Sequence, residues 1–323
     1  MLTVWAPGTD GQPEQLADGL AGLAPGQLPL WIDLYQPDAA EEQAVETLLG
    51  IDVPTAADRR AMEDSAQFYS DADTLFLTCA VMGRRSDGPF SSEPVTFILT
   101  PSTLVTVRTN NPRAFEVGTG RASAQLSDAR APHDVLLALL EGIIERLADL
   151  MQECSADMGR LSGRVFKADV RLPGAREEKA SLKTIGRIGG LLAIALHSLS
   201  GLGRLMAYCE QSKLCQTMNQ ARMTAISRDI ALLGSLSEAL QSKCSFLLDA
   251  LLGMAAAGQN ASLRALSIAT ILFVPPTLIS SIFGMNFEAM SWFQTGWGLY
   301  AAFGLMIAAP ATLFTVARWL RWF

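Results

Sequence analysis

Nineteen consecutive residues, Ala265 to Phe283, carry no charge. As a helix such a stretch reaches roughly 28 Å at about 1.5 Å per residue, close to the ~30 Å hydrocarbon core of a bilayer. Arg264 stands immediately before it and the polar tripeptide Gly284-Met285-Asn286 immediately after it. A second uncharged stretch runs from Gly298 to Ala317, and the chain closes with Arg318-Trp319-Leu320-Arg321-Trp322-Phe323. The pattern predicts a membrane hairpin: a first transmembrane helix over 265–283, a loop over 284–297, a second helix over 298–317 and a basic tail over 318–323. Pro275 and Pro276 fall inside the first span, where neighbouring helices can re-satisfy the carbonyls that a proline frees.

The basic residues fix the orientation. The loop holds Glu288 and no Lys or Arg, whereas Arg264, Arg318 and Arg321 flank the far ends of the spans. The positive-inside rule then places both termini in the cytoplasm of a cell whose inner membrane holds the hairpin, with the loop outside. Trp292 and Trp297 on one side, and Trp319 and Trp322 on the other, suit the two aromatic belts. The first residues, Met1-Leu-Thr-Val-Trp-Ala-Pro-Gly8, lack a basic segment followed by an apolar run, so no signal peptide is expected.

Upstream of the hairpin, residues 1–263 carry an excess of nine acidic over basic side chains, within a chain of net charge −7. That excludes nucleic acid as a partner, because phosphate binding needs a basic surface, and suits one that attracts cations. Five scattered cysteines without a Cys-x-x-Cys read as buried thiols of a reducing compartment, and two histidines are too few for a Cys/His tetrahedral site. No phosphate loop, metalloprotease or nucleophile-elbow motif occurs, and Gly118-Thr-Gly120 reads as loop, so no enzyme is expected.

Residues 1–130 read as an α/β domain, with eleven of the fifteen prolines at or before Pro132. Strands are expected over Trp31–Tyr35 and Thr74–Met82, with a polar turn over 83–89. A tight hairpin joins Val95–Thr100 to Leu104–Arg108. A helix from Glu41 to Gly50 would bury Ala44, Val45, Leu48 and Leu49. Residues 131–264 read as a long-helix bundle and stalk, its helices near 132–166, 175–213 and 217–283, the last running unbroken into the membrane. In that last helix Ile226, Ile230, Leu233, Ser237, Leu240, Cys244, Leu247, Leu251 and Met254 follow alternating steps of four and three, a heptad seam. The seam packs either on the other two helices of its own chain or on copies of itself. Two spans enclose no pore, so conduction would need a ring of copies. The first span supplies Ser267, Ala269, Thr270, Thr277, Ser280 and Ser281 for close packing or a polar lining, and the second suits lipid.

A charge-free helix with mid-span proline, then Gly284-Met285-Asn286-Phe287-Glu288, a short loop, a second span and a basic-aromatic end together resemble the CorA family of divalent-cation channels, the two-span Gly-Met-Asn transporters. The resemblance is carried by residues 245–323. It implies an α+β membrane protein with a cytoplasmic α/β domain, a helical stalk and two transmembrane helices per subunit, assembled as a homopentamer. It implies Mg²⁺ as cargo, with Co²⁺ or Ni²⁺ as further cations, and no cofactor. Asn286 becomes the selectivity residue, its carboxamide oxygens accepting hydrogen bonds from the waters of a hydrated ion, while Gly284 and Met285 shape its turn.

The same resemblance assigns Asn260 and Thr277 to the pore lining, Leu263, Leu266 and Val274 to an apolar gate, Glu288 to cation capture, and Asp249 with Asp58 to a regulatory metal between subunits. Asp249 interrupts an apolar run, where a buried carboxylate would be costly. One departure bears on the cargo: Met290-Ser291-Trp292-Phe293 stands where the magnesium transporters have Met-Pro-Glu-Leu, leaving Glu288 as the one acidic loop residue. Two alternatives follow, a Zn²⁺ transporter of the ZntB type and a membrane-tethered interaction protein that transports nothing.

Overall fold

The computed structural model describes residues 1–8, 13–55, 58, 67–84, 90–112, 115, 128–167, 175–285 and 297–320. The N-terminal region is built on a seven-stranded sheet in the order β2-β1-β3-β7-β6-β5-β4. The strands are β1 (Leu2–Pro7), β2 (Pro13–Gln15), β3 (Trp31–Tyr35), β4 (Phe68–Asp71), β5 (Thr74–Arg84), β6 (Phe90–Leu99) and β7 (Leu104–Arg108). Among the described residues only β3 and β7 pair in parallel; the other pairings are antiparallel. The expected α/β domain is therefore a mixed, largely antiparallel sheet. β3 and the β6–β7 hairpin lie where alternation predicts, with Leu99 opposite Leu104. The turn expected from Gly83 starts later, because Gly83 and Arg84 still pair with Ser91 and Phe90.

Helix α1 (Ala39–Leu49) begins two residues before the expected Glu41 because Asp38 caps it. The Glu41 amide donates to Asp38 Oδ1 at 2.8 Å and the Asp38 amide to Glu41 Oε2 at 3.2 Å, a reciprocal capping box. Gly50 ends it at φ 68°, a left-handed position that glycine takes without a Cβ clash. Of the apolar face expected here, Val45 alone is buried, while Leu48 is exposed. Val45 joins Ile32, Leu34, Val53, Phe76, Ile98, Val105 and Val107 in a core on one face of the sheet. Helix α2 (Pro132–Lys167) covers β5, β6 and β7 with its N-terminal turns, and Leu136, Leu137, Leu139 and Leu140 are fully buried.

Between β3 and β7 lies a polar knot that alternation does not announce. Asp33 and Arg108 are both buried; Arg108 Nη2 donates to Asp33 Oδ2 at 2.8 Å and Nε to Oδ1 at 3.1 Å. Thr106 Oγ1 donates to Asp33 Oδ1 at 2.7 Å, and Trp31 Nε1 donates to Thr106 Oγ1 at 3.0 Å. Arg108 also lies over the rings of Tyr35 and Phe115, at 4.6 and 4.7 Å. A buried ion pair is tolerated when its remaining valences are met in this way.

Helix α3 (Ala175–Gln211) returns along the bundle, and a 3₁₀ turn at Leu214–Thr217 leads to α4 (Gln220–Phe283). The third long helix thus starts at 220 rather than 217, because Asn219 caps it: Oδ1 accepts from the Ala221 and Arg222 amides at 3.1 and 3.2 Å. Helix α4 has 64 residues, about 96 Å at ~1.5 Å per residue. Arg222 meets Glu141 in two hydrogen bonds of 2.9 and 2.8 Å, and Phe246 stacks on Phe166 at 5.9 Å, so α2 runs parallel to α4. Contacts of Cys244 with Ile185 and of Ile230 with Gly203 make α3 antiparallel.

The heptad seam resolves toward packing within the chain. Ile226, Ile230, Ser237, Leu240, Cys244, Leu247 and Leu251 are buried in a single copy, with Leu233 and Met254 half-buried. Helix α5 (Gly298–Trp319) forms the second apolar span and carries Arg318 in its last turn. Among the described residues three helices, α3, α4 and α5, are long and apolar enough to cross a membrane. Nearly half of the apolar window of α3 is buried within the protein, against 6% for α4, and Gly201 of α3 lies close against β5 at Cys79 and Ala80. Helix α3 is thus a core helix of the soluble part. All five cysteines are buried and unpaired by disulfides, and burial pushes the Cys79 thiol up to about 12, which keeps it protonated.

Candidate functional site

Helix α4 has a second heptad register on the side opposite the seam. Every seventh residue from Ser235, through Ser242, Asp249, Ala256, Leu263, Thr270 and Thr277 to Gly284, is exposed. Asn260, Ser267, Val274 and Ser281 interleave with the upper part of this column at steps of three and four, and are exposed too. A seven-residue repeat keeps such a column on one face of a left-handed supercoil. The seam register meanwhile continues into the span as Ile268, Leu272, Pro275 and Ile279, the side on which Ile268 and Leu272 share a cleft with α5. The seam face of α4 is thus packed on its own chain from Ile226 to Leu251, whereas Ile268 and Leu272 are exposed. The opposite face, made largely of small, hydroxyl and amide side chains, is left open.

Six residues singled out from the sequence fall on this column: Asp249, Asn260, Leu263, Val274, Thr277 and Gly284. Leu266 lies beside it, exposed like Leu263 and Val274. Asn286 and Glu288 lie outside the described residues, as do Trp292, Arg321, Trp322 and the Gly118–Gly120 pair. The column also sorts the hydroxyl and small residues of the span, since Ser267, Thr270, Thr277 and Ser281 belong to it while Ala269 and Ser280 do not. Sequence reading had missed its N-terminal continuation through Ser235 and Ser242. The unbroken seven-residue period was the available signal, masked by the stronger apolar seam.

The hydroxyls have a defined polarity. Thr277 Oγ1 donates to the Phe273 carbonyl at 2.6 Å, Thr270 Oγ1 to Leu266 at 2.9 Å, Ser267 Oγ to Leu263 at 2.9 Å and Ser242 Oγ to Glu238 at 3.0 Å. A hydroxyl whose proton is committed to its own helix keeps only acceptor lone pairs facing outward. Such a surface can accept hydrogen bonds from water. Leu263 and Val274 interrupt it with exposed apolar side chains.

At the C-terminal end of α4 the Gly284 amide donates to the Ser280 carbonyl at 2.9 Å and the Met285 amide to the Ile282 carbonyl at 3.3 Å. A Cβ on Gly284 would stand 3.2 Å from the Ser280 carbonyl oxygen, so close approach to the preceding turn, rather than a left-handed backbone, is what favours glycine here.

Asp249 and Asp58, the two residues expected to meet a metal between subunits, both lie on the surface of the single chain. Asp249 is not buried in its own chain; it lies exposed on the open face, and its desolvation cost does not arise within one copy. Asp58 is also exposed, and its carboxylate is held locally: Oδ2 accepts from Thr55 Oγ1 at 2.6 Å and from the Thr55 amide at 3.1 Å, while the Asp58 amide donates to Thr55 Oγ1 at 3.2 Å. Among the described residues, no group of three or more His, Cys, Asp or Glu is placed to hold a metal within one chain.

This geometry has relatives. The magnesium transport protein CorA of Yersinia pseudotuberculosis is 30% identical over 298 residues, covering 90% of this chain and 92% of that protein. The complete structure of the CorA magnesium transporter from Methanocaldococcus jannaschii superimposes with a TM-score of 0.74 at 16% identity, over 98% of this chain and 97% of that one. The cytoplasmic domain of ZntB from Vibrio parahaemolyticus matches with a TM-score of 0.52 at 14% identity, over 78% of this chain and 96% of that one. At those identities the two structures speak for the fold alone, which both share with this chain. The family model described as CorA-like Mg²⁺ transporter protein matches residues 27–320, and with that match over most of its length the chain belongs to the CorA family.

Proposed function

We propose that the chain assembles into a ring, a pentamer on the family resemblance, and forms a channel for divalent cations across the inner membrane. Mg²⁺ is its first cargo and Co²⁺ or Ni²⁺ are further ones. The observation that carries this reading is the open column of α4, an unpartnered polar face on the one helix that runs from the soluble part through the first span. Copies related by a cyclic axis would turn these columns toward that axis, leaving each buried seam with its own chain. The curated relatives carry the name magnesium transport protein CorA.

In such a ring the cation keeps its water shell. Glu288 draws it to the outer mouth, the Asn286 carboxamides accept hydrogen bonds from its waters, and neutral oxygens hold it weakly enough to let it go. Thr277, Thr270, Ser267 and Asn260 continue the acceptor surface inward, with Val274, Leu266 and Leu263 as the apolar gate. Both termini and the acidic soluble part face the cytoplasm. A cytoplasmic metal contact at Asp249 belongs to the same reading, and Asp58 would have to release Thr55 to join it.

The test is ion entry into proteoliposomes loaded in separate batches with Mg²⁺-, Co²⁺- and Zn²⁺-sensitive dyes, with Asn286→Ala alongside. Mg²⁺ entry that changes sharply in the variant is the expected result. Zn²⁺ entry without Mg²⁺ entry would establish the second reading, which the Met290–Phe293 departure favours. No entry of any ion through a folded, oligomeric protein would leave the hairpin as a tether.

A further inference from the structure

Both spans carry their prolines at the same cleft. Ile268, Ile271, Leu272 and Pro276 of α4 face Met306, Ile307, Pro310, Ala311 and Phe314 of α5 around a cavity of about 520 Å³. No side chain lining it is polar or charged. Pro275, Pro276 and Pro310 lack the N–H that would bond the carbonyls of Ile271, Leu272 and Met306, all three of which belong to the lining. The cleft therefore lies where each helix has lost ladder hydrogen bonds and bends most easily. On the other side of the same joint, one residue before and one after the proline pair, are Val274 and Thr277 of the open column.

We infer that this cleft seats one acyl chain of a membrane phospholipid and that its occupancy sets the bend of α4 at Pro275-Pro276. Three observations select the occupant. The cleft lies in the middle of two charge-free stretches, at the depth where a bilayer offers hydrocarbon. Its lining is hydrocarbon, so a headgroup or a hydrated ion gains nothing there. Its width is the third: spread over the roughly 12 Å of helix between Ile268 and Pro276, at about 1.5 Å per residue, the cavity leaves a cross-section of roughly 40 Å². That is about half the section of a whole helix ~10–12 Å across with its side chains, and it suits a single alkyl chain better. A filled cleft props the two bends apart, and an empty one lets them close. The effect on conduction rests on the channel reading above; the seating of the lipid does not.

The experiment separates the two. The full chain carries the photoreactive analogue benzoylphenylalanine in place of Phe314, is reconstituted in phosphatidylethanolamine–phosphatidylglycerol vesicles and irradiated, and its adducts are identified by mass spectrometry. The expected product is a phospholipid adduct on the acyl chain that falls at least about fivefold when Ala311→Trp fills the cleft and stays unchanged with Leu305→Trp, outside the lining. Ala311→Leu serves the same purpose with less bulk, should the tryptophan disturb folding. An adduct to a second copy of the chain, or a lipid adduct indifferent to Ala311, overturns the assignment. Cation flux in the same vesicles is read next: a change of about threefold or more with Ala311→Trp but not Leu305→Trp supports the coupling, and lost adduct with unchanged flux overturns the coupling while the site stands. A lipid adduct in vesicles that pass no ion at all would retain the site and sink the channel.

Discussion

The two faces of α4 obey the same seven-residue arithmetic with opposite chemistry. The seam face is mostly Ile, Leu and Cys and is largely buried in a single copy from Ile226 to Leu251; the column is mostly Ser, Thr, Asn, Asp and Gly, broken by Ala256, Leu263 and Val274, and is exposed from Ser235 to Gly284. A period tells which residues travel together along a helix. Composition tells whether they are held by the fold or kept for something else. The seam should therefore respond to substitution through stability and the column through transport.

The widest separation is expected at Leu247, which is fully buried. Leu247→Ala should cost about 2–5 kcal/mol through lost burial and the cavity left behind, seen as a lowered thermal midpoint. Ser242→Ala, at a similar height on the column, should stay within about 0.5 kcal/mol, as exposed positions do. Equal losses at both would erase the distinction between the faces. Thr277→Val reverses the roles, since it keeps the shape and removes one outward acceptor. Flux should fall about tenfold, the kinetic equivalent of roughly 1.4 kcal/mol, with the melting midpoint unmoved.

How much of this was legible beforehand follows the same division. The spans, the three long helices and the β6–β7 hairpin announce themselves through length, absence of charge and alternation, which are local properties. The choice between intra-chain and inter-chain packing of the seam did not, because a heptad looks the same whichever helix it meets. Six candidate residues named through the Gly-Met-Asn resemblance share one exposed column of α4, and the column itself was legible through periodicity. The exposure of Asp249 was not: whether a carboxylate in an apolar run is buried depends on which side of the helix its neighbours occupy. The Asp33–Arg108 knot was invisible for a related reason, since its halves come from strands far apart in the chain.

Smaller effects sharpen the contrast. Ser237 is a seam position, fully buried, whose hydroxyl has no hydrogen-bond partner. Ser237→Ala should therefore raise stability by roughly 1 kcal/mol, the cost of an unmet buried polar group, whereas Ser242→Ala has no such gain to show. The smallest expected effect concerns the helices that receive the seam. Asp157 accepts from Arg187 Nη2 at 2.7 Å and from Arg160, and the Arg187 and then Arg160 hydrogen bonds hold its carboxyl below the usual range. A depressed folded pKa means stability present above the unfolded value, about 3.9, and lost as pH falls through the folded one. Asp157→Asn should cost less than about 1 kcal/mol at neutral pH, because the site is partly exposed, and the difference should fade progressively below pH ~4. A gap that persists in acid would mean that the arginines are held by something else.

The knot between β3 and β7 has a consequence for how the chain is made. Asp33 and Arg108 are 75 residues apart, and β3 touches β7 through the one parallel pairing in the sheet. At synthesis rates of ~5–20 residues per second, roughly 4–15 s separate the appearance of the two strands at the ribosome. In that interval β3 can ladder with β1 but leaves its other edge, and the Asp33 carboxylate, in water. The β6–β7 hairpin, by contrast, is complete almost as soon as Arg108 emerges. The closing step of the sheet is thus the docking of two preformed halves across a long loop, a slow kind of contact. Both strands have nevertheless been made before either apolar span is, so the docking does not have to wait for the membrane segments.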